Sequence, residues 1–202
     1  MVIKSHPQVS FATAWTEAGP FVFSKTVAPN GGWAGDLTVF VDPVAPSDAY
    51  LIYSGGKLPK TPQQSRHIVV SRLTDDWLDV APVPATHIFE DLEGPAAFYA
   101  PGVGYFIWTS HVSGWNPNPA AVYHATSITS PTWTPLGNPT GNRTSFSSQS
   151  TYILPVNGTF VYIADRFEPY VNKKLSPRYV WLPITNISAT GLTVQWHDEW
   201  VL

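Results

Sequence analysis

Three polar side chains stand at comparable places in this chain: Asp36 ahead of LTVFVD, Glu93 inside DLEGPAAFYA and Gln149 inside FSSQSTYIL. Each opens a stretch rich in apolar and β-branched residues. Two carboxyl groups and an amide gathered at one place could cleave an acetal. One carboxyl delivers a proton to the departing oxygen, and water is activated on the opposite face of the ring, with room for that water between the groups when configuration inverts. A second carboxylate nearby raises the pKa of such an acid by like-charge repulsion and keeps it protonated near neutral pH. Singly, each residue also has a plain structural explanation. Asp36 follows Gly35, Glu93 precedes Gly94-Pro95, both turn contexts, and Gln149 can bond a neighbouring sheet. Three equivalent positions together favour the chemical reading, although turn and ion-pair networks can imitate it.

The elements that must position them read as short strands. Leu37–Pro43, Ala49–Gly55, His67–Leu73 and Leu78–Pro84 form a first group, each rich in Val, Ile, Tyr or Phe and bounded by Gly, Pro, Asp or Ser. Pro95–Pro101, Gly104–Ser110, Ala121–Ser127 and Thr132–Asn138 form a second, and Gln149–Pro155, Gly158–Phe167, Arg178–Ile184 and Gly191–Trp200 a third. The groups recur at about 54–58 residues, and four strands per repeat is the signature of a β-propeller blade. Two further strands, Val9–Trp15 and Pro20–Val27, read as half a blade. The expectation is an all-β, incomplete propeller in one domain, 1–202, with a half-blade over 1–30 and full blades over 36–84, 93–138 and 149–200. That makes about three and a half blades where closure needs at least four. The first strands of blades line a central channel, so Asp36, Glu93 and Gln149 would meet at one mouth of it. The exposed edge of the half-blade is expected to pair with a second copy, giving a homo-oligomer.

Composition agrees. Of 202 residues, 14% are aromatic and only 12% charged, with 20 Pro and 14 Gly, a balance that favours strands and turns over helices. A formal net charge of -3 without a basic run argues against nucleic acid and against a polybasic membrane contact. The chain has no cysteine, which excludes disulfides, thiolate metal sites and thiol nucleophiles. Neither a cofactor nor a metal is expected: the six His are scattered without H-E-x-x-H, and Asp75, Asp76 and Asp79 read as a turn, not a calcium loop. No signal-peptide core opens the sequence. Sequons at Asn142, Asn157 and Asn186 nevertheless point to secreted, extracellular ancestry.

The segment Gly35–Ser54, GDLTVFVDPVAPSDAYLIYS, resembles the D-x-x-x-F-x-D…AYLIYS segment of family 43 glycoside hydrolases. LTDDWLDV, EGPAAF, the Gly-Trp-Asn-Pro-Asn of Gly114–Asn118, SSQST, ADRF and SPRYVWLP recur with it in family order, from about Val9 to Trp200. Together they resemble the exo-β-1,3-galactanase branch, whose fold is a five-bladed propeller. The resemblance implies that Glu93, in L-E-G-P, is the general acid. Asp36 would orient that acid and tune its pKa. Gln149, in S-Q-S-T, would stand in for the base through its imidic-acid tautomer. It implies carbohydrate, terminal β-1,3-linked galactose of galactan or arabinogalactan, as substrate, with inversion. Family members carry a first blade and half a second before the point matching the start of this chain, including a carboxylate that contacts the terminal sugar. The alternative is a galactose-binding, lectin-like protein without turnover.

Candidate sugar contacts complete the reading. Trp115, after Ser113-Gly114, could stack on the apolar C–H patch of galactose or pack beneath its own loop. His111 could bond a hydroxyl or cap its strand. Asp165 and Arg166 fall near the sugar by resemblance, though an ion pair with Arg178 tying strands together is the simpler role. Trp181, Trp196 and Trp200 read as core.

Overall fold

The computed structural model describes residues 2–5, 8–57, 66–88, 90–166 and 178–202. The chain is all β among these residues, apart from a 3-10 turn at Pro29–Gly31. It forms two compact units, Met1–Glu93 and Gly94–Leu202.

The first unit holds two antiparallel sheets. Strands β1 (Val2–Ser5), β2 (Gln8–Thr13) and β3 (Val22–Val27) lie in the order β1-β2-β3. This sheet has three strands, where the pattern of apolar residues suggests two. Strands β4 (Gly32–Val41), β5 (Ala49–Lys57), β6 (His67–Arg72) and β7 (Thr86–Ile88) form the second sheet in chain order. Val9 and Phe11 of β2 pack with Ala34, Leu51, Tyr53, Val69 and Leu73 into one core.

The fourth strand of that sheet is not Leu78–Pro84. Residues 74–79 close a tight turn, with Thr74 N–H donating to the Asp79 carbonyl and Trp77 N–H to that of Thr74, both at 2.8 Å. Asp76 Oδ1 accepts from Leu78 N–H at 3.0 Å and Thr74 Oγ1 at 2.6 Å, so LTDDWLD is the turn its sequence implies. Pro82 and Pro84 lack the N–H a ladder needs, and pairing resumes only where Thr86–Ile88 meets Ile68–Val70.

Strand β8 (Leu92–Ala100) starts in the first unit and runs into the second. With β9 (Gly104–His111), β10 (Ala120–Ala125) and β11 (Thr134–Gly137) it makes a four-stranded antiparallel sheet. Strands β12 (Ser148–Val156), β13 (Thr159–Arg166), β14 (Arg178–Ser188) and β15 (Gly191–Val194) make the next. Phe167, expected to end β13, lies outside the described residues. The hairpin joining β12 to β13 turns on Asn157-Gly158, both at positive φ (49° and 77°), as a two-residue turn matching strand twist requires. Strand β15 ends well short of Trp200, and Val194 N–H donates to Pro139 O at 3.0 Å.

The core of the second unit lies between these two sheets. Phe98 stacks on Phe106, ring centroids 4.7 Å apart, and meets Phe160 at 4.8 Å. Trp108 stacks on Tyr162 at 4.5 Å. Burial pushes the Tyr162 phenol well above its ordinary range, against a smaller opposite effect from its bond to Ser148. Trp181 and Trp196 are not core: they are 54% and 42% exposed. Along β14, Val180, Leu182 and Ile184 take the inward positions, and period-two alternation then sends Trp181 outward. Trp200 caps the same strand, its Nε1 donating to Trp181 O at 2.7 Å.

Phe98→Ala should cost about 3–5 kcal/mol, whereas Tyr179→Ala, at an exposed position of β14, should stay within about 0.5 kcal/mol. Urea unfolding of the two variants beside the parent checks the contrast; equal losses would contradict this core.

Candidate active site

Glu93, the second residue of β8, is only 7% exposed. A buried carboxylate needs a partner, and Arg66 supplies one, its Nη1 donating to Glu93 Oε2. The backbone of Arg66 is tied to the same strand start. Its N–H donates to Asp91 Oδ1 at 2.9 Å, and its carbonyl accepts from Leu92 N–H at 3.3 Å. The guanidinium sits 5.7 Å from the ring centroid of Trp33 on β4, within reach of a cation–π attraction.

Asp36 comes from the same unit by a different device. The β4–β5 register shifts between Ala34 and Leu37, which leaves Gly35 and Asp36 in a bulge. Bulges re-aim side chains beside functional sites. A Cβ on Gly35 would lie 2.5 Å from Ser54 Oγ and 3.1 Å from the Ser54 carbonyl oxygen. Glycine alone fits there, and Asp36 follows, half-buried.

Gln149, the second residue of β12, is placed from three sides. Its Nε2 donates to Ser110 Oγ on β9 at 2.8 Å. Gly94, at φ +61°, leaves the space its side chain fills: a Cβ there would stand 2.9 Å from Gln149 Cγ. The next residue, Ser150, donates from Oγ to the Gly94 carbonyl at 2.5 Å. Just before β12, Ser145, Phe146 and Ser147 all adopt positive φ (48°, 62° and 60°). Such backbone costs about 1–3 kcal/mol per residue and persists only where its surroundings over-determine it. Here Asn142 Oδ1 accepts from the N–H groups of Thr144 and Phe146 at 2.9 and 3.1 Å. Ser145 Oγ accepts from Ala120 N–H at 2.8 Å and donates to Asn118 O at 3.0 Å.

Asp165 is the register partner of Gln149 across β12 and β13, so the two side chains leave the sheet on one face as close neighbours. Arg166 and Arg178 are register partners across β13 and β14, and the Arg166 guanidinium lies over the Trp196 ring at 4.9 Å. The loop after β9 is organised by Asn118, whose side chain accepts from His111 N–H at 3.0 Å and donates to His111 O and Ser113 Oγ, both at 2.6 Å. Ser113 Oγ donates to Asn116 O at 2.5 Å, so its proton is used within the loop. Trp115 does not pack beneath this loop: it is 73% exposed, as a stacking platform must be. Arg66, Ser110 and Gly94 were not singled out by the sequence. Gly94 had a signal, the Glu-Gly-Pro turn, but Arg66 and Ser110 reach partners 27 and 39 residues away with no local pattern.

No family model matches the chain, and no curated protein does. Solved structures do. A GH43 β-1,3-galactosidase superposes with a TM-score of 0.81 at 31% identity, over 96% of this chain and 40% of its own. A second GH43 β-1,3-galactosidase, solved with galactodeoxynojirimycin, gives 0.81 at 26% identity, over 97% and 68%. Over nearly its whole length the chain is thus similar to glycoside hydrolases of family 43. It is similar as well to the exo-β-1,3-galactanase from Phanerochaete chrysosporium solved with galactose, with a TM-score of 0.77 at 28% identity, over 93% of this chain and 42% of that one. The chain spans about two fifths of the length of two of these structures and about two thirds of the third.

The packing of Gly94 on Gln149 can be tested by a double-mutant cycle. Gly94→Ala should cost about 1–3 kcal/mol, and at least about 0.5 kcal/mol of that should vanish when Gln149 is also alanine. An identical cost in both backgrounds, by urea unfolding, would show that no clash couples them.

Proposed function

We propose that this chain is an inverting glycoside hydrolase that removes terminal β-1,3-linked galactose from galactan or arabinogalactan side chains. The observation that carries the reading is the placement of Glu93, a buried carboxyl at a strand start, bonded to the glycine against which Gln149 is fitted. Glu93 is the general acid, Asp36 the carboxylate that orients it and Gln149 the amide that takes the place of a base. The four sheets are blades of a five-bladed propeller of the family type, three of them whole. Asp165 and Arg166 flank Gln149 on the sugar side, with Trp115, His111 and Ser113 as the outer contacts.

A non-catalytic galactose-binding reading is favoured by one observation, the exposed indole of Trp115, which would hold a sugar face with or without turnover. Galactose release from β-1,3-galactan separates the two. Under the hydrolase reading Glu93→Gln should lower release by about 100-fold or more while galactose still binds by calorimetry. Full activity in that variant would refute the assignment of the acid.

Two further proposals concern the context of the chain. Asn157 and Asn186 are exposed, as glycan acceptors must be, which supports an extracellular origin. Strand β3 is an edge of its sheet and leaves Val22 and Phe23 66% and 65% exposed. Exposed apolar edges invite pairing, and a second copy of the chain is the proposed partner. Light scattering at micromolar concentration should give the mass of a dimer or larger, and Phe23→Lys should return it to that of one chain; a monomer from the outset would dismiss the idea.

A further inference from the structure

Arg66 has more anchoring than neutralising a buried carboxylate requires. Its backbone is held on both sides of the β8 start, by Asp91 Oδ1 at 2.9 Å and by Leu92 N–H at 3.3 Å. Its guanidinium is caught between Glu93 Oε2 and the Trp33 ring. The aromatic face limits how that plane can turn, and a planar fork fixes its acceptor in a way a lysine ammonium does not.

We propose that Arg66 is a positioning residue for Glu93, holding the carboxyl in the orientation from which it protonates the oxygen of a sugar leaving group; the inference rests on the hydrolase reading. In the reaction the Glu93 carboxyl passes its proton to the glycosidic oxygen as the bond to the anomeric carbon breaks and its electron pair goes to that oxygen. Water adds to the anomeric carbon and its proton leaves to bulk solvent. Glu93 is left as a carboxylate, whose new charge lies against the guanidinium. Orientation of a catalytic group is worth large factors in rate, and here its loss should fall on proton delivery alone.

Two substrates isolate that step. β-1,3-Galactobiose departs as a sugar alkoxide and needs the proton, whereas 2,4-dinitrophenyl β-galactoside departs as a stable phenolate and does not. Arg66→Met keeps an aliphatic stem over Trp33. It should lower kcat on the disaccharide by about 10–100-fold with KM within about 2-fold, while kcat on the aryl galactoside falls less than about 3-fold. Arg66→Lys should recover part of the disaccharide rate, and melting curves of both variants verify that they fold. Equal losses on the two substrates would reduce Arg66 to a structural residue and overturn the proposal, as would an unchanged disaccharide rate. A parent protein that cleaves neither substrate would remove the hydrolase reading and this inference with it; a parent active on both confines any failure to Arg66.

Discussion

The second unit depends on a sheet whose strands β8, β9 and β10 are buried on both faces. Along β8 every residue from Leu92 to Phe98 is buried, as are all six of β10 and the first seven of β9. Such strands leave almost no side for a polar group in mid-strand. Thr109, wholly buried on β9, is admitted because its hydroxyl donates to Ala121 O at 2.7 Å. Polar chemistry is therefore pushed to the strand ends, where the chain enters or leaves the sheet. Glu93 and Gln149 are second residues of their strands, and Ser110 and Asp165 next-to-last residues of the strands paired with them. Antiparallel pairing brings a start and a finish to the same end of each sheet, so the polar residues collect there.

Regular backbone geometry is broken at or beside two of the three candidate residues, Asp36 and Gln149. Asp36 rides a bulge that only Gly35 permits. Gln149 fills the space left by Gly94 and emerges from a left-handed turn locked by Asn142 and Ser145. Glu93 remains on regular backbone, and what sets it apart is a carboxyl below the surface, bonded to Arg66. Each device spends local stability on placement, a pattern common to sites that must be preorganised.

The sheets were legible because their signal is local. Alternating apolar residues and Gly or Pro punctuation mark nearly every strand, and Glu93 and Gln149 stand at the strand starts that pattern implies, whereas Asp36 falls inside β4 because that strand begins at Gly32. The errors came where the signal was not local. Val83 sits in an apolar run, yet the prolines on either side deny it a ladder, and the true strand is three residues further on. Trp181 and Trp196 alternate with polar residues in strand-like runs, which reads as core, but the inward side of β14 is taken by Val180, Leu182 and Ile184, and Trp196 lies beyond the end of β15. Arg66 was invisible because its meaning lies in a carboxylate on another strand. Hydrophobic period reveals which face of a strand is buried; it carries no information about which distant polar group will be waiting at its end.

The run Ser145–Ser147 bears on how this protein can vary over time. Three successive residues in the left-handed region bar β-branched side chains on steric grounds, and the buried Ser145 hydroxyl, serving both Ala120 and Asn118, bars most of what remains at that position. Drift in the segment leading to Gln149 is thus confined to side chains not branched at Cβ, and at position 145 to a small hydroxyl. Selection on the fold alone would therefore preserve the path of the chain into Gln149.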